Sequence, residues 1–298
     1  MENTIITNLN KKNLSSSSIA LYMKALKNLN DKKEIKNLKF LNKPTTILEK
    51  ISTYKPTTQR NIIISIVSVL KALENPLYNK YFDIMINMTK KINDDNKNNE
   101  KTETQRENWL KWDDVENKFN ELKNNLKISK NITETQYNSL LDLVVLALYT
   151  LIPPRRNKDY IEMVITKSDT DDKSKNYLDT KKQQFIFNVY KTAKKDGQLI
   201  VNIPNNLIDI IKIYLKNHPM KTEMKTQNVP FLVYFNNKPV KDNGITRILN
   251  KIFDKKIGSS MLRHIYLSSK YGNVLEEQKN DAKMMSHNVQ TQKDYIKK

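Results

Sequence analysis

Cysteine is absent from the 298-residue chain, which removes disulfides, thiol nucleophiles and every cysteine-bearing zinc site. Glycine is almost as scarce. The four that occur, Gly197, Gly244, Gly258 and Gly272, fit neither a G-x-G-x-x-G turn nor a G-x-x-x-x-G-K loop, so the common phosphate-cradling nucleotide sites are excluded. Three histidines are too few to make an all-histidine metal site a reasonable expectation. The apolar runs are short: "IIISIVSVL" from residue 62 and "LVVLALYTLI" from residue 143 fall well below the roughly 20 residues that cross a bilayer. The N-terminal "MENTIITNLNKKNLSSSS" lacks the apolar core of a signal peptide. These absences predict a soluble protein with no membrane segment, whose chemistry uses no nucleotide, no metal and no other cofactor.

What the chain has in excess is positive charge. Lys and Arg number 52 against 32 Asp and Glu, a formal net charge of +20. Such a surplus in a globular chain calls for a polyanion, and nucleic acid is the leading one. Residues 1–108 hold 19 basic and 11 acidic side chains and residues 109–298 hold 33 and 21, so both halves can meet the same partner. With 38% hydrophobic residues and a length near twice the ~150-residue domain norm, the composition predicts two folded domains.

Hydrophobic periodicity divides the chain unevenly. Short helices are predicted in the first third: one with a serine cap at or just before Ser18, one after Pro44, one opening at the Thr57/Thr58 pair, and one over Leu77 to Met88. The polar stretch from Lys90 to Asn108 reads as a linker, giving domains at 1–89 and 109–298. Beyond it, "WLKWDDVENKFNELKNNL" is amphipathic, and "TETQYNSLLDLVVLALYTLI" is a buried helix with a capping-box pattern at Thr133 and Gln136, ended by Pro153 and Pro154. "QQFIFNVYK" and "GQLIVNIP" alternate, which predicts a hairpin from Gln184 to Ile203, and "FLVYF" offers a further strand. Helices are predicted at 204–217, 245–254, 260–271 and 275–285. The fold class is therefore mainly α with a small antiparallel β-sheet, a helical N-terminal domain preceding an α+β one.

Only six of the 52 basic residues are arginine, so each position that keeps Arg is informative. Arginine presents a rigid fork of donors that grips two phosphate oxygens at once, as a lysine point charge cannot. Arg155 and Arg156 are adjacent in "PPRRNKDY", directly after the buried helix, with Asp159 close behind. Arg263 and His264 are neighbours inside an apolar helical pattern of Met261, Leu262, Ile265 and Leu267, so at least one of them faces the interior or a cleft. His287 and Tyr295 follow in "MMSHNVQTQKDYIKK", while Tyr266 and Tyr271 lie near enough to Arg263 to compete as nucleophiles.

An arginine, a hairpin lysine, an Arg-His pair, a late histidine and a near-terminal tyrosine, in that order, resemble the tyrosine recombinases. The resemblance is greatest to integrases of large DNA viruses, their satellite elements and related eukaryotic mobile elements, with a "PPRRxxDY"-like box around the first arginine. It spans most of the chain and implies a helical N-terminal DNA-binding domain, a linker and a catalytic domain. It assigns Arg156 as the first catalytic arginine, with Arg155 as alternative; Lys191 as the hairpin lysine, with Lys194 as alternative; and Arg263, His264, His287 and Tyr295 to the remaining places. It implies double-stranded DNA as partner, four protomers on synapsed DNA, and action in the cytoplasm, nucleus or virus factory of a host cell, or in the virion.

The chemistry is physically coherent. Two guanidinium forks stabilise charge building on the nonbridging oxygens, a lysine protonates the leaving 5′ oxygen, His264 assists at the tyrosine and His287 donates to the phosphate. A tyrosine near the end of a chain is mobile enough to attack a phosphodiester. Two departures stand out: Ser260 occupies a place where the family usually has His or Lys, and the step from His287 to Tyr295 is one residue shorter than the commonest. Three residues follow Tyr295, fewer than the helix by which many relatives dock on a neighbour. Rival readings are a type IB topoisomerase-like strand transferase, and a DNA-binding protein that keeps the fold without the activity.

Overall fold

In the computed structural model, which describes residues 1–12, 14–95, 100–167, 171–241 and 243–296, the chain divides into two units, Met1–Glu100 and Lys101–Lys298. The N-terminal unit comprises helices α1 (Glu2–Lys11), α2 (Ser16–Leu29), α3 (Pro44–Ile51), α4 (Pro56–Ala72) and α5 (Tyr78–Asp95). Ser15 caps α2, its hydroxyl accepting from the Ser18 amide at 3.2 Å. The Thr57/Thr58 pair does not cap α4. Pro56 opens that helix instead, because proline presets a helical φ and lacks an N–H that would in any case go unpaired there. α1, α2 and α5 pack on α4, burying Ile63, Ile66, Val69 and Leu70 of α4 against Ile5, Leu26 and Tyr81, whose hydroxyl donates to the Leu41 carbonyl at 2.8 Å.

The polar stretch read as a linker is helical at both ends. α5 continues to Asp95, and α6 (Glu103–Asn108) opens on a reciprocal Thr102–Gln105 capping box; residues 96–99 of that stretch lie outside the described ones. The division between the two units falls inside it, at Glu100 and Lys101.

The C-terminal unit is built on a helix apolar on every side. α7 (Trp112–Asn125) precedes α8 (Glu134–Thr150), which starts on the Thr133–Gln136 capping box and buries every residue from Leu143 to Tyr149. α7, α11 (Asn205–Lys216) and α12 (Gly244–Phe253) pack around α8, as all-round burial requires. Between α8 and α12 lie the short α9 (Lys158–Ile161), α10 (Ala193–Asp196) and the sheet strands β1 (Val164–Thr166), β2 (Tyr177–Asp179), β3 (Gln184–Phe187), β4 (Leu199–Asn202) and β5 (Val229–Pro230). Their order is β4-β3-β2-β1-β5.

The hairpin is present as β3 and β4, antiparallel, with Phe185 opposite Val201. The small sheet differs from an all-antiparallel one in a single pairing: β1 and β2 run parallel, Val164 opposite Tyr177 and Thr166 opposite Asp179. In the "FLVYF" stretch, pairing involves Val229 and Pro230 just ahead of it and an isolated bridge from Val233 to Pro239. The last two helices are α13 (Ser259–Met284), one continuous rod where two helices were expected, and α14 (Val289–Tyr295), capped by Asn288. Among the described residues no helix is long and apolar enough to cross a membrane.

Candidate active site

Pro153 and Pro154 stop α8 and release the chain into the segment carrying both adjacent arginines. That segment is anchored at its far side. The Tyr149 hydroxyl of α8 donates to Asn157 Oδ1 at 2.7 Å, and Asn157 Nδ2 donates to Thr246 Oγ1 of α12 at 2.9 Å. Asn176, buried ahead of β2, joins three parts of the site. Its Nδ2 donates to the Asp159 and Val189 carbonyls, both at 2.9 Å, and its Oδ1 accepts from the amides of Asn188 and Val189 at 2.8 and 2.7 Å. The arginine segment and the end of β3 are thus fixed to one another by a single amide side chain.

Arg155 is braced. Its Nε donates to Asp159 Oδ2 at 2.9 Å, and its guanidinium lies 3.8 Å from the centre of the Phe187 ring and 5.6 Å from that of Tyr190. Asp159 is buried, and burial raises its pKa while the Arg155 charge opposes the rise. Its second oxygen, Oδ1, is buried with no hydrogen-bond partner. Arg156 gives its carbonyl to the Asp159 amide at 2.9 Å, but its guanidinium has no hydrogen-bond or ion-pair partner among the described residues. The same holds for Arg263 on the second turn of α13.

These three arginines meet. Arg155, Arg156 and Arg263 line one open cleft of about 380 Å³, together with Asp159, Tyr190 and Thr192. Half of the chain's arginines therefore face a single space, from positions more than a hundred residues apart. Two guanidinium forks with no hydrogen-bond or ion-pair partner among the described residues, beside a third 3.8 Å from the centre of an aromatic ring, are suited in chemistry to gripping a phosphate group, with Asp159 and Asp196 also on the cleft wall.

Lys191 is exposed on the loop between β3 and β4, flanked by Tyr190 and Thr192, both of which line the cleft. The loop is tied down by the Tyr190 hydroxyl, donating to the Gly197 carbonyl at 2.8 Å, and by Gln198, donating to Asn188 at 2.7 Å. Gly197 has φ 74, a left-handed conformation that only glycine adopts at no cost. Lys194 sits exposed on α10. His264 is also exposed, so of the Arg-His pair the arginine is the one that enters the cleft. Ser260 occupies the first turn of α13.

His287 and Tyr295 come together, though not at the cleft. Their ring centres are 5.7 Å apart, His287 Nε2 is shielded from solvent without a partner, and Tyr295 is 68% exposed. Neither side chain lines the arginine cleft. Of the competing tyrosines, Tyr266 packs edge-on against Trp112 at 5.0 Å and accepts from Lys270 Nζ at 3.3 Å, while Tyr271 is exposed on α13. Sequence reasoning missed Asn176. Its only signal is an Asn directly before an apolar strand, a pattern too common to single it out.

No protein-family model and no curated protein matches the chain. Among solved structures it is similar to the crystal structure of XerA recombinase, at 13% identity and a TM-score of 0.38, over 91% of this chain and 84% of that one.

Proposed function

We propose that the chain is a tyrosine-type site-specific DNA recombinase that cuts and rejoins DNA through a 3′-phosphotyrosyl intermediate. The observation that carries the reading is the convergence of Arg155, Arg156 and Arg263 on one cleft in a chain where lysine is the default cation. A phosphodiester seated there meets guanidinium groups free of hydrogen bonds and ion pairs among the described residues at Arg156 and Arg263, with Arg155 as the braced wall. The Tyr295 oxygen attacks the scissile phosphorus as its proton passes to His264, the bond to the 5′ oxygen breaks, and that oxygen takes a proton from Lys191 on the β3–β4 loop. The reverse step, attack by a 5′ hydroxyl of another strand, releases Tyr295. His287, already against Tyr295, hydrogen-bonds the phosphate, and His264 assists proton movement. The diester bond energy is conserved in the phosphotyrosine, so the reaction needs no external energy source.

Two basic units, each with a polyanion-binding charge, suit binding to duplex DNA. Assembly of four protomers on synapsed DNA, and service to a viral or other mobile element, belong to the same proposal. The test is a nicked suicide DNA substrate: a covalent protein–DNA adduct forms with the wild type and is lost in Tyr295→Phe. An adduct that persists in that variant removes Tyr295 from its role.

One observation favours a second reading, a DNA-binding protein without strand-transfer activity. His287 and Tyr295 lie outside the arginine cleft. Salt-sensitive DNA binding with no adduct on any cleavable substrate supports that reading instead.

A further inference from the structure

Tyr149 stands at the end of α8 with its side chain fully buried. It gives its one hydroxyl proton to Oδ1 of Asn157, the residue directly after Arg156, at 2.7 Å. The hydroxyl of Ser259, the first residue of α13, donates to the same Tyr149 oxygen. Ser259 precedes Arg263 by about one helical turn, so the two side chains leave the same face of α13. A second route joins the same segments. Asn157 Nδ2 donates to Thr246 Oγ1 at 2.9 Å, and Thr246 lies beside Gly258, where a β-carbon would sit 3.6 Å from the threonine methyl and 3.7 Å from its hydroxyl. Gly258 is the residue on which α13 opens.

Filling this part of the core does not require a hydroxyl at Tyr149. A buried hydroxyl brings a desolvation cost, and a phenyl ring of the same shape avoids it. Tyr160, packed edge-on against Tyr149 and equally buried, has a hydroxyl with no partner at all. The Tyr149 hydroxyl has two, on segments more than a hundred residues apart, and each segment carries an arginine of the cleft. The guanidinium groups of Arg156 and Arg263 have no hydrogen-bond or ion-pair partner among the described residues, so the main chain beneath them sets their separation. Two forks grip one phosphate only at the right separation, and a misplacement of about 1 Å can cost about 10²-fold in rate.

We infer that Tyr149 is a positioning residue for the arginine cleft: through Asn157 and Ser259 its hydroxyl fixes the distance between Arg156 and Arg263, and Thr246 braces the same link from α12. The inference rests on the reading of the chain as a tyrosine-type strand transferase, in which both arginines act on one phosphate.

Single-turnover adduct formation by the full-length chain, on a suicide DNA substrate at saturating concentration, is the first test. Tyr149→Phe keeps the ring and removes the hydroxyl. Thr246→Val keeps the shape and removes the brace, and Thr246→Ser restores it, so this pair decides the matter should Tyr149→Phe fail to fold. The expected result is a rate about tenfold lower in Tyr149→Phe and in Thr246→Val, with DNA affinity unchanged, and a wild-type rate in Thr246→Ser. Because the residue acts through the arginines, adding Tyr149→Phe to Arg156→Ala lowers the rate less than about twofold further. A merely structural role predicts the full tenfold loss in that background too. That outcome, or a wild-type rate in Tyr149→Phe, overturns the inference.

A second measurement needs no adduct and so separates this failure from failure of the functional reading. The chain has six arginines, so ¹⁵N-arginine labelling gives only six Nε–H signals, of which Arg156→Lys and Arg263→Lys identify two. Both signals shift in Tyr149→Phe and in Thr246→Val and return in Thr246→Ser, while that of Arg60 in the N-terminal unit stays in place. Unmoved Arg156 and Arg263 signals overturn the inference even if wild-type adduct forms. Shifted signals in a protein that never forms adduct uphold the positioning role and remove the functional reading instead.

Discussion

Asn176 uses all of its amide's main hydrogen-bonding directions within a few ångströms of the arginine cleft, and a buried group so fully satisfied is costly to remove. Asn176→Ala leaves two carbonyls and two amides without partners, so the loss is about 3 kcal/mol of unfolding free energy, read by denaturant titration. Tyr160 shows the opposite case. Its ring packs against Tyr149, Phe185 and Phe187, but its hydroxyl is buried with no partner. Tyr160→Phe therefore leaves stability unchanged or raises it by up to about 1 kcal/mol, and a clear loss contradicts the packing described.

His218 carries a pH dependence at the same scale. Nε2–H donates to the Pro230 and Phe231 carbonyls at 3.2 and 3.3 Å, while Nδ1 accepts from the Met220 amide at 3.1 Å, so the ring is held neutral. Burial lowers its pKa, against the opposing influence of those carbonyls and Glu223. The unfolded chain, with an ordinary value near ~6.5, then takes up the proton first as pH falls. The stabilisation is present above that value and is lost as pH drops from 7 toward 5. Comparing thermal unfolding of the wild type and His218→Gln across that range checks it: the wild type loses more stability on acidification.

At the scale of elements, legibility followed length and period. α8 and the β3–β4 hairpin were readable because capping residues, a long apolar run and strict alternation each leave a strong signal. β1 and β2 were not, since three-residue strands buried on both faces show no alternation to detect. α1 went unread because its buried residues, Ile5 and Leu9, are too few to establish a helical period. The rarity of arginine singled out the residues that line the cleft; the absence of Tyr295 from it was not legible, because α13 runs as one helix where two were expected. Thr133→Ala removes a capping box on the helix that carries the core and costs about 1 kcal/mol. The same change at Thr57 costs little, because Pro56 rather than a hydroxyl opens α4.

For the whole molecule, the proposed function assigns the lysine surplus to holding DNA and the few arginines to reacting with it. Binding that rests on a lysine coat weakens steeply with salt: about six to ten phosphate contacts imply a 10³- to 10⁵-fold loss of affinity between 50 and 200 mM. Arg263→Ala removes one contact among many and lowers affinity less than about tenfold. It lowers the rate of covalent adduct formation by about 10²- to 10³-fold, because it takes a preorganised donor from the transition state. Equal losses in binding and cleavage contradict that division.

The most direct measurement is the identity of the residue that carries DNA. After reaction with a suicide substrate, proteolysis and mass spectrometry of the DNA-linked peptide should return the C-terminal segment with the 3′-phosphoryl group on Tyr295. A link to Tyr266, Tyr271 or any other residue, or no link at all under conditions of full DNA binding, contradicts the account.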